Sequence, residues 1–416
     1  EEAIKTYGRA LKDFSDTDLV DNFYYNRGWA YLGMGMDEKA ISDFQRVRRV
    51  SSNEALIVGA LCRVGEIYKR LKVSGEAIKS YDVVLKDYPD SLWADYAQYE
   101  VGTILSADNL DAAILAFQSL IVNFPGSNLL DKAHYKLGFL YRRKSNFEAA
   151  SDEFKKIIDD FPESPLAGSA FIQYGNALYN AKKYNMAIDV FKTIIKSKAD
   201  KEMVEMAKYQ LGWSYYRMHR EKEALKVFES ILKTNPKSEL APGIEFWFGE
   251  YSYDRGDFSK ALRRFETVID KYPSSDMVDD AFYWLGWTLY EKGEVIQAIE
   301  EFKTLYANFS DSIWAKEAMI KVGDMLLELE KTDEAAKVFK KVITRYPDTA
   351  FERISYRKIG KIFKSRGSYI EAIEYFKKAL TADENDINAQ IQYDIADCYE
   401  KHGDLELAGV EYLKVT

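Results

Sequence analysis

The sequence contains few of the residues that build disulfide frameworks and metal centres. It has two cysteines and three histidines among 416 residues. Cys62 and Cys398 are far apart in the chain, and neither has a second Cys or a His at the spacing of metal ligands. The composition therefore predicts no metal, no cofactor and no local disulfide. We expect both thiols to be buried as small hydrophobic groups.

Long hydrophobic runs and an excess of basic residues are also lacking. No stretch approaches 18 uninterrupted apolar residues, so no membrane span is predicted in this segment. Lysine and arginine number 58 against 67 aspartate and glutamate residues, which gives a net charge of −9. Because the two signs are interleaved, we expect no basic face for a phosphate backbone and no nucleic-acid partner.

Catalytic motifs are missing as well. The sequence has no Walker phosphate loop, no Gly-x-Ser-x-Gly, no His-Glu-x-x-His and no Cys-x-x-Cys. His134, His219 and His402 are scattered along the chain and stand at different places in the repeat described below. We therefore predict that the protein is not an enzyme.

The sequence does have a glycine that recurs every 37 residues, with one interval of 36. A regular period of this length is the signature of a repeat architecture. Ala396 occupies the eleventh position. The glycines are Gly28, Gly65, Gly102, Gly138, Gly175, Gly212, Gly249, Gly286, Gly323 and Gly360.

An alanine lies twelve residues after each column glycine or Ala396, and an aromatic residue lies sixteen residues after it. In the third repeat both spacings are one residue shorter. The alanines are Ala40, Ala77, Ala113, Ala150, Ala187, Ala224, Ala261, Ala298, Ala335, Ala372 and Ala408. The aromatic residues are Phe44, Tyr81, Phe117, Phe154, Phe191, Phe228, Phe265, Phe302, Phe339, Phe376 and Tyr412. The chain therefore contains eleven repeats.

Each repeat predicts two helices joined by a short turn. Apolar residues recur at spacings of three and four around each glycine and again around each alanine, as in one stripe of an α-helix. Pairs such as Gly256-Asp257, Gly293-Glu294 and Gly403-Asp404 predict a left-handed helix end followed by a capping or first-turn acid. A proline after the second helix, as in Tyr272-Pro273, predicts its end.

The glycine column requires a physical cause, because a glycine inside a helix costs roughly 0.5 to 1 kcal/mol relative to alanine. We expect the missing side chain to let the partner helix approach closely. In this interpretation each glycine faces the small alanine of its own repeat, so that close contacts offset the cost.

These residues together resemble the tetratricopeptide repeat (TPR) pattern: Leu or Val before Gly, Tyr soon after, then Ala, Phe and Pro. The 37-residue repeat is three residues longer than the usual 34-residue repeat, and the extra residues follow the proline. The sequence there is Pro-x-Ser or Pro-x-Thr, as at Pro273-Ser274-Ser275. We expect this Ser or Thr to be an N-cap that lengthens the first helix by about a turn. This long-loop variety resembles TPR segments of bacterial envelope proteins, such as the lipoprotein of the outer-membrane assembly machine and the periplasmic partner of the Tol-Pal system.

The resemblance implies an all-α fold, a right-handed superhelical solenoid of helix-turn-helix repeats. Residues 1–14 align with the second helix of a truncated repeat, since Ala3 and Tyr7 stand 37 residues before Ala40 and Phe44. Residues 15–416 are predicted to form eleven tandem repeats in one continuous solenoid. Because the chain starts half-way through a repeat, we expect it to be a segment of a longer protein.

The resemblance also implies that the first helices line a concave groove, with positions three before, one after and four after each glycine facing it. In the middle of the chain these positions are rich in Trp and Tyr, the side chains that dominate binding hot spots. The expected partner-binding residues there are Tyr209, Trp213, Tyr216, Phe246, Trp247, Glu250, Tyr253, Tyr283, Trp284, Trp287 and Tyr290. The alternative is that these rings only pack between helices.

Charge along the expected groove is uneven. Arg142 and Arg143 stand four and five residues after their glycine, whereas Asp254 and Glu291 hold the second of these places in later repeats. We add Arg142 and Arg143 to the expected binding residues, because a charge gradient would orient an extended partner.

The clamp that holds chaperone C-termini is disfavoured, because its Lys and Asn pair never occurs together; one repeat instead has Arg357 and Lys361.

The sequence thus predicts a scaffold that binds extended polypeptide or a partner protein, in a bacterial envelope assembly or transport system and as part of a larger complex. The expected location is periplasmic or outer-membrane-associated, with the cytoplasm as the alternative. A different function stays open at this point. The same rings could stack on sugars, as in a polysaccharide-binding TPR module of an exopolysaccharide export system.

Overall fold

The protein, in a computed structural model, is described over residues 1–380 and 386–415, with Asp386 in its backbone only. Within these ranges the chain consists of α-helices and turns, without strands. The predicted all-α fold of helix-turn-helix repeats is confirmed. The chain divides into two compact units, Glu1–Ile231 and Leu232–Thr416. The predicted single solenoid over residues 15–416 stays a prediction.

The helix α1 (Glu2–Asp13) precedes the hairpins. That residues 1–14 form the second helix of a truncated repeat stays a prediction. The first helices of the hairpins are α2 (Val20–Gly33), α4 (Glu54–Arg70), α6 (Ala94–Asp108), α8 (Leu130–Arg143), α10 (Ala167–Asn180), α12 (Lys201–Arg217), α14 (Ala241–Tyr253), α16 (Val278–Glu291), α18 (Ala315–Glu328), α20 (Ala350–Ser365) and α22 (Asp386–His402).

The second helices carry the alanine and aromatic columns. They are α3 (Asp37–Val50), α5 (Ser74–Asp87), α7 (Leu110–Asn123), α9 (Phe147–Asp160), α11 (Tyr184–Lys196), α13 (Glu221–Thr234), α15 (Phe258–Lys271), α17 (Val295–Asn308), α19 (Thr332–Arg345), α21 (Tyr369–Ala379) and α23 (Leu405–Leu413).

Within each unit, helices that are consecutive in sequence pack against each other. First helices of neighbouring hairpins also touch, as α2 touches α4 and α10 touches α12 in the first unit. In the second unit α14 touches α16 and α18 touches α20. Side chains on adjacent first helices can therefore contact one another directly.

The glycine column packs against the aromatic column, and not against alanine as the sequence indicated. A Cβ carbon added at any of the ten glycines would lie 2.9 Å or less from a ring atom of the aromatic residue of the same hairpin. Gly249 and Phe265 are an example. The expectation that each glycine faces the alanine of its own repeat was wrong. The space left by each glycine is filled by an aromatic ring that is itself almost fully buried.

The turns between paired helices adopt the predicted left-handed conformation. Gly256, Gly293 and Gly403 have φ of 72°, 85° and 101°, and the Asp257 side chain accepts a hydrogen bond from the Lys260 backbone N–H at 3.2 Å. Other hairpins place a non-glycine residue there, at strained φ near 60°: Lys72, Ser145, Lys182, His219 and Glu330. The third hairpin lacks this residue, since α6 and α7 are separated by Asn109 alone, which accounts for its shorter repeat.

The Ser after the proline was expected to cap a lengthened first helix, and in most repeats this is wrong. Ser275 begins a turn instead: its Oγ accepts from the Met277 backbone N–H at 3.1 Å, and α16 starts only at Val278. The same turn is made by Ser127, Ser164, Ser238 and Ser312. Only Thr349 is the predicted cap, accepting from the Glu352 N–H at the start of the 16-residue α20.

The ring–glycine contact predicts a clear difference between two glycines of α14. Gly249→Ala should destabilise the second unit by about 1–3 kcal/mol, because its Cβ would overlap the Phe265 ring. Gly243→Ala is the matched control, since nothing lies within 4 Å of its added Cβ. It should leave stability unchanged or raise it by up to about 1 kcal/mol. Denaturant unfolding followed by circular dichroism measures both; equal effects would contradict the contact.

Both thiols are buried, as predicted. Burial raises the pKa of Cys62 to about 12 and that of Cys398 to about 11. Because the thiolate is the reactive form, we expect neither to react with a disulfide reagent at mildly alkaline pH until the protein is unfolded. A thiol that reacts rapidly in native buffer would show that its hairpin opens.

Candidate functional site

The expected binding residues lie on three first helices and form two aromatic clusters, one in each unit. In the first unit α12 presents Tyr209, Trp213 and Tyr216 at spacings of four and three residues, on one helix face. In the second unit α14 and α16 present the others. Eight of the eleven residues expected on these helices are half-buried aromatic rings. Glu250 is a half-buried carboxylate. Trp247 and Tyr283 are buried, with 7% and 6% of their surface exposed.

On α12 the three rings pack edge to face. The Trp213 ring lies 6.0 Å from that of Tyr209 and 5.9 Å from that of Tyr216, centroid to centroid. Trp213 also contacts Phe228, the ring that covers Gly212, at 5.4 Å. The cluster is therefore built on the glycine–aromatic contact of its own hairpin.

On α16 the same arrangement recurs around Trp287. Its ring lies 6.4 Å from Tyr283 and 5.7 Å from Tyr290, again edge to face. The Lys321 ammonium of α18 stands 4.6 Å from the Trp287 ring centre, a cation–π contact. The Tyr290 hydroxyl donates to a Glu328 carboxylate oxygen at 3.0 Å. Both contacts join α16 to α18.

Tyr283 is buried because Trp314 covers it. The two rings stack at 4.3 Å with an interplanar angle of 19°. The Trp314 indole N–H donates to Asp280 Oδ1 at 2.6 Å, which fixes the indole at the start of α18. Burial raises the pKa of Tyr283 to about 12. Tyr283 is thus a supporting residue beneath the half-buried Trp287.

Trp284 joins α14 to α16. Its ring stacks on Phe265 at 6.5 Å and meets the edge of Tyr253 at 5.2 Å. Phe246 packs on the same Phe265 ring at 5.6 Å. We name the half-buried side chains of this region the α14–α16 aromatic surface: Phe246, Glu250, Tyr253, Trp284, Trp287 and Tyr290.

Glu250 is the acidic member of this surface. Its carboxylate is half-buried, and burial together with the nearby Asp254 and Asp280 carboxylates raises its pKa. The Asp280 pKa is likewise raised, mainly by burial. Negative charge is therefore held on this surface at a cost in stability, and a cation from a partner would relieve it.

Arg142 and Arg143 make contacts between neighbouring first helices. The Arg142 guanidinium donates to Gln173 Oε1 of α10 at 2.9 Å and lies 4.5 Å from the Phe139 ring centre. Arg143 donates to the Ser106 backbone oxygen of α6 at 2.5 Å. No described contact joins either arginine to the aromatic cluster of α12 in the same unit.

Sequence reasoning missed two features. Trp29 of α2 is 41% exposed and stands one residue after Gly28, in the same column as Trp213 and Trp287. The column itself could have identified it. It also missed the cations over these rings: Arg63 lies 5.0 Å from Trp29, as Lys321 lies over Trp287. Both cations stand two residues before the column glycine of the following repeat. The sequence shows this position, but only the helix packing shows that the cation lies over the ring.

Comparison with known proteins identifies the family. The outer membrane lipoprotein family YfiO matches residues 138–285 and 222–364, which together span more than half of the chain. Tetratricopeptide repeat families match residues 21–52, 60–91 and 355–386. The chain belongs to the tetratricopeptide repeat family. The resemblance drawn from the glycine, alanine and aromatic columns is thereby confirmed.

Several solved structures are similar to this TPR chain. A chain from the structure of Naa15/Naa10 bound to HypK-THB shares 16% identity and a TM-score of 0.46 over 98% of this chain, which spans 64% of that chain's length. A tetratricopeptide repeat protein from Parabacteroides merdae shares 16% identity and a TM-score of 0.38 over 65% of this chain and 98% of its own. The C-terminal part of a TPR repeat-containing protein from Cytophaga hutchinsonii shares 16% identity and a TM-score of 0.49, over 62% and 98%. No curated protein matches the sequence.

Two further observations bear on the site. In residues 1–380 and 386–415 no helix is both long and apolar enough to cross a bilayer. The same part of the chain contains no group of three side chains placed to hold a metal ion. What the described surface offers is aromatic area with acidic and basic groups beside it, which is suited to binding.

The raised pKa of Glu250 predicts a pH-dependent effect of Glu250→Gln. A carboxyl whose folded pKa lies above its unfolded value is destabilising when ionised, so the variant should be more stable at neutral pH by up to about 1 kcal/mol. The gain should vanish as the pH falls through the folded pKa, where wild-type Glu250 is also neutral.

Thermal unfolding of both proteins at neutral and acidic pH measures this effect. Glu374→Gln, at an exposed site on α21, is the control and should change little at either pH. A loss of stability of Glu250→Gln at neutral pH would show that its carboxylate has a favourable partner.

Proposed function

We propose that this TPR chain is a non-enzymatic scaffold that binds an extended polypeptide or partner protein through the α14–α16 aromatic surface. The proposal is carried by one observation: the helices α14 and α16 present half-buried Trp and Tyr rings together with a half-buried acid, Glu250, whose charged form is disfavoured. Large rigid rings contribute most to protein interfaces, and a Lys or Arg of the partner would neutralise the acid. The α12 cluster of Tyr209, Trp213 and Tyr216 offers the same kind of contact in the first unit.

The orientation of the rings favours protein over sugar. A sugar ring stacks on an open aromatic face, but one face of Trp287 is covered by Lys321. The neighbouring Tyr rings meet the Trp284 and Trp287 indoles edge to face. Edges and polar tips suit the mixed apolar and hydrogen-bonding surface of a polypeptide.

The cell envelope is the proposed location. The match of the outer membrane lipoprotein family to residues 138–364 supports it. In this setting the chain would serve an envelope assembly or transport system, as one part of a larger complex. Arg142 and Arg143 would then contribute to binding only where a partner competes with their present contacts to Gln173 and Ser106.

Binding of a short unstructured peptide composed of Lys, Leu and Ser tests the function. We expect fluorescence anisotropy to show binding that Trp287→Ala weakens by about tenfold, the loss typical of a hot-spot residue. Because Trp287 also packs on Phe302, Glu250→Gln is the second variant; it removes charge without removing a ring and should weaken binding several-fold.

Phe14→Ala is the control, since it removes an exposed ring outside the surface and should leave affinity unchanged. A soluble oligosaccharide is titrated in parallel. Binding of the oligosaccharide with loss in Trp287→Ala, and no binding of the peptide, would replace the proposed function with the polysaccharide alternative. Equal peptide affinity in all variants would exclude this surface.

A further inference from the structure

The second unit contains a pocket of about 360 Å³ between α20, the end of α21 and the start of α22. It lies on other helices than the α14–α16 aromatic surface. One wall is a basic face of α20, formed by residues spaced three and four apart. The basic lining residues are Arg353, Arg357, Lys358 and Lys361.

Among the described residues, the positive charge of this wall is only partly compensated. Lys358 pairs with Asp324 at 2.6 Å. Arg357 donates to Gln390 Oε1, a neutral group, at 2.6 Å. In the described part of the chain the Arg357 Nε atom is buried without a hydrogen-bond acceptor. A buried donor without an acceptor is costly, so this guanidinium is incompletely satisfied within the described fold.

The side chains of Arg353 and Lys361 form no ion pair with any described residue. Two described acids of α22, Asp394 and Asp397, are held by Lys364 at 2.7 and 2.9 Å. The pKa of Lys361 is lowered, by burial and then by repulsion from Arg357. Together these facts describe a site short of negative charge.

Other residues of the lining are apolar. Ile354 and Ile387 line the pocket with 39% and 60% of their surface exposed, and the buried Ile391 and Ala379 form its floor. A free phosphate or a sugar would leave this apolar wall unused. A ligand that combines carboxylates with apolar side chains would contact both walls.

We propose that this pocket binds an acidic segment of a partner polypeptide, with an apolar side chain against Ile354 and Ile387 and carboxylates against Arg353, Arg357 and Lys361. Arg357 supplies the planar donor pair that recognises a carboxylate, and the other two add charge. This inference rests on the proposed scaffold function and adds a second binding surface to it. The pocket prefers a negatively charged segment, whereas the α14–α16 aromatic surface prefers a positively charged one. A partner with a basic and an acidic stretch would therefore bind in one direction along the second unit.

A short peptide of Glu, Leu and Ser, amidated at its C-terminus, tests the pocket by fluorescence anisotropy at low and physiological salt. Arg353→Gln/Lys361→Gln should weaken binding by about tenfold and reduce its salt dependence. Neither residue has an ion pair with a described residue, so the fold should be unaffected. Arg357→Lys keeps the charge but loses the planar fork, and should also weaken binding.

Lys303→Gln/Lys337→Gln is the matched control, because it removes two exposed positive charges of the same unit from α17 and α19. Equal weakening in this control would overturn the proposal, since any positive surface would then suffice. A peptide with Ser in place of Leu should bind less tightly; equal affinity would remove the apolar wall from the site. Binding of anionic phospholipid vesicles but not of the peptide would also overturn it.

The chain's own acidic segment is the competing occupant. Asp383, Glu384 and Asp386 precede the lining residue Ile387 in sequence; the first two lie outside the described residues, as does the side chain of the third. If wild type does not bind the peptide while Asp383→Asn/Glu384→Gln/Asp386→Asn does, the pocket is filled by this segment and the partner is excluded.

The outcome is separable from that of the proposed function. The Lys peptide should depend on Trp287 and Glu250 but not on Arg353 and Lys361, and the Glu peptide should show the reverse. If only the Lys peptide fails to show its expected dependence, the α14–α16 aromatic surface is not a binding site. If only the Glu peptide fails to show its own, the pocket beside α20 is not one.

Discussion

The contact between a helical glycine and an aromatic ring of the following helix determines much of this structure. In ten hairpins the ring occupies the space that a Cβ would need, and it is almost fully buried there. The backbone penalty of a glycine within a helix is roughly 0.5 to 1 kcal/mol, whereas burying a ring contributes several times as much. The same contact recurs in every hairpin that has the glycine, so the hairpins share one geometry.

The aromatic surfaces are extensions of this contact. Tyr209 and Trp213 flank Phe228, and Tyr283 and Trp287 flank Phe302, so each outer ring rests on a ring that is already fixed. A surface built this way is rigid before a partner arrives, which lowers the entropic cost of binding. Cations of the next first helix then cover part of it, as Lys321 covers Trp287.

The second unit combines two surfaces of opposite charge preference. Glu250 and Asp280 hold negative charge among aromatic rings on α14 and α16, while Arg353, Arg357 and Lys361 hold positive charge beside isoleucines on α20. Each has apolar area next to a charge that the fold leaves poorly compensated. Directional recognition of one polypeptide is the property that such a pair would provide.

The sequence by itself determined the helices, the left-handed turns, the positions of the alanine and aromatic columns and the family, because these follow from residue spacing within one repeat. The tertiary structure decided what lies opposite each residue: the ring against Gly249, the burial of Trp247 and Tyr283, and the pocket beside Arg357. Those facts depend on side chains from a second helix or a neighbouring hairpin, some thirty or more residues away in several cases. A periodic pattern assigns a residue to a helix face, but only packing fixes which neighbour covers that face.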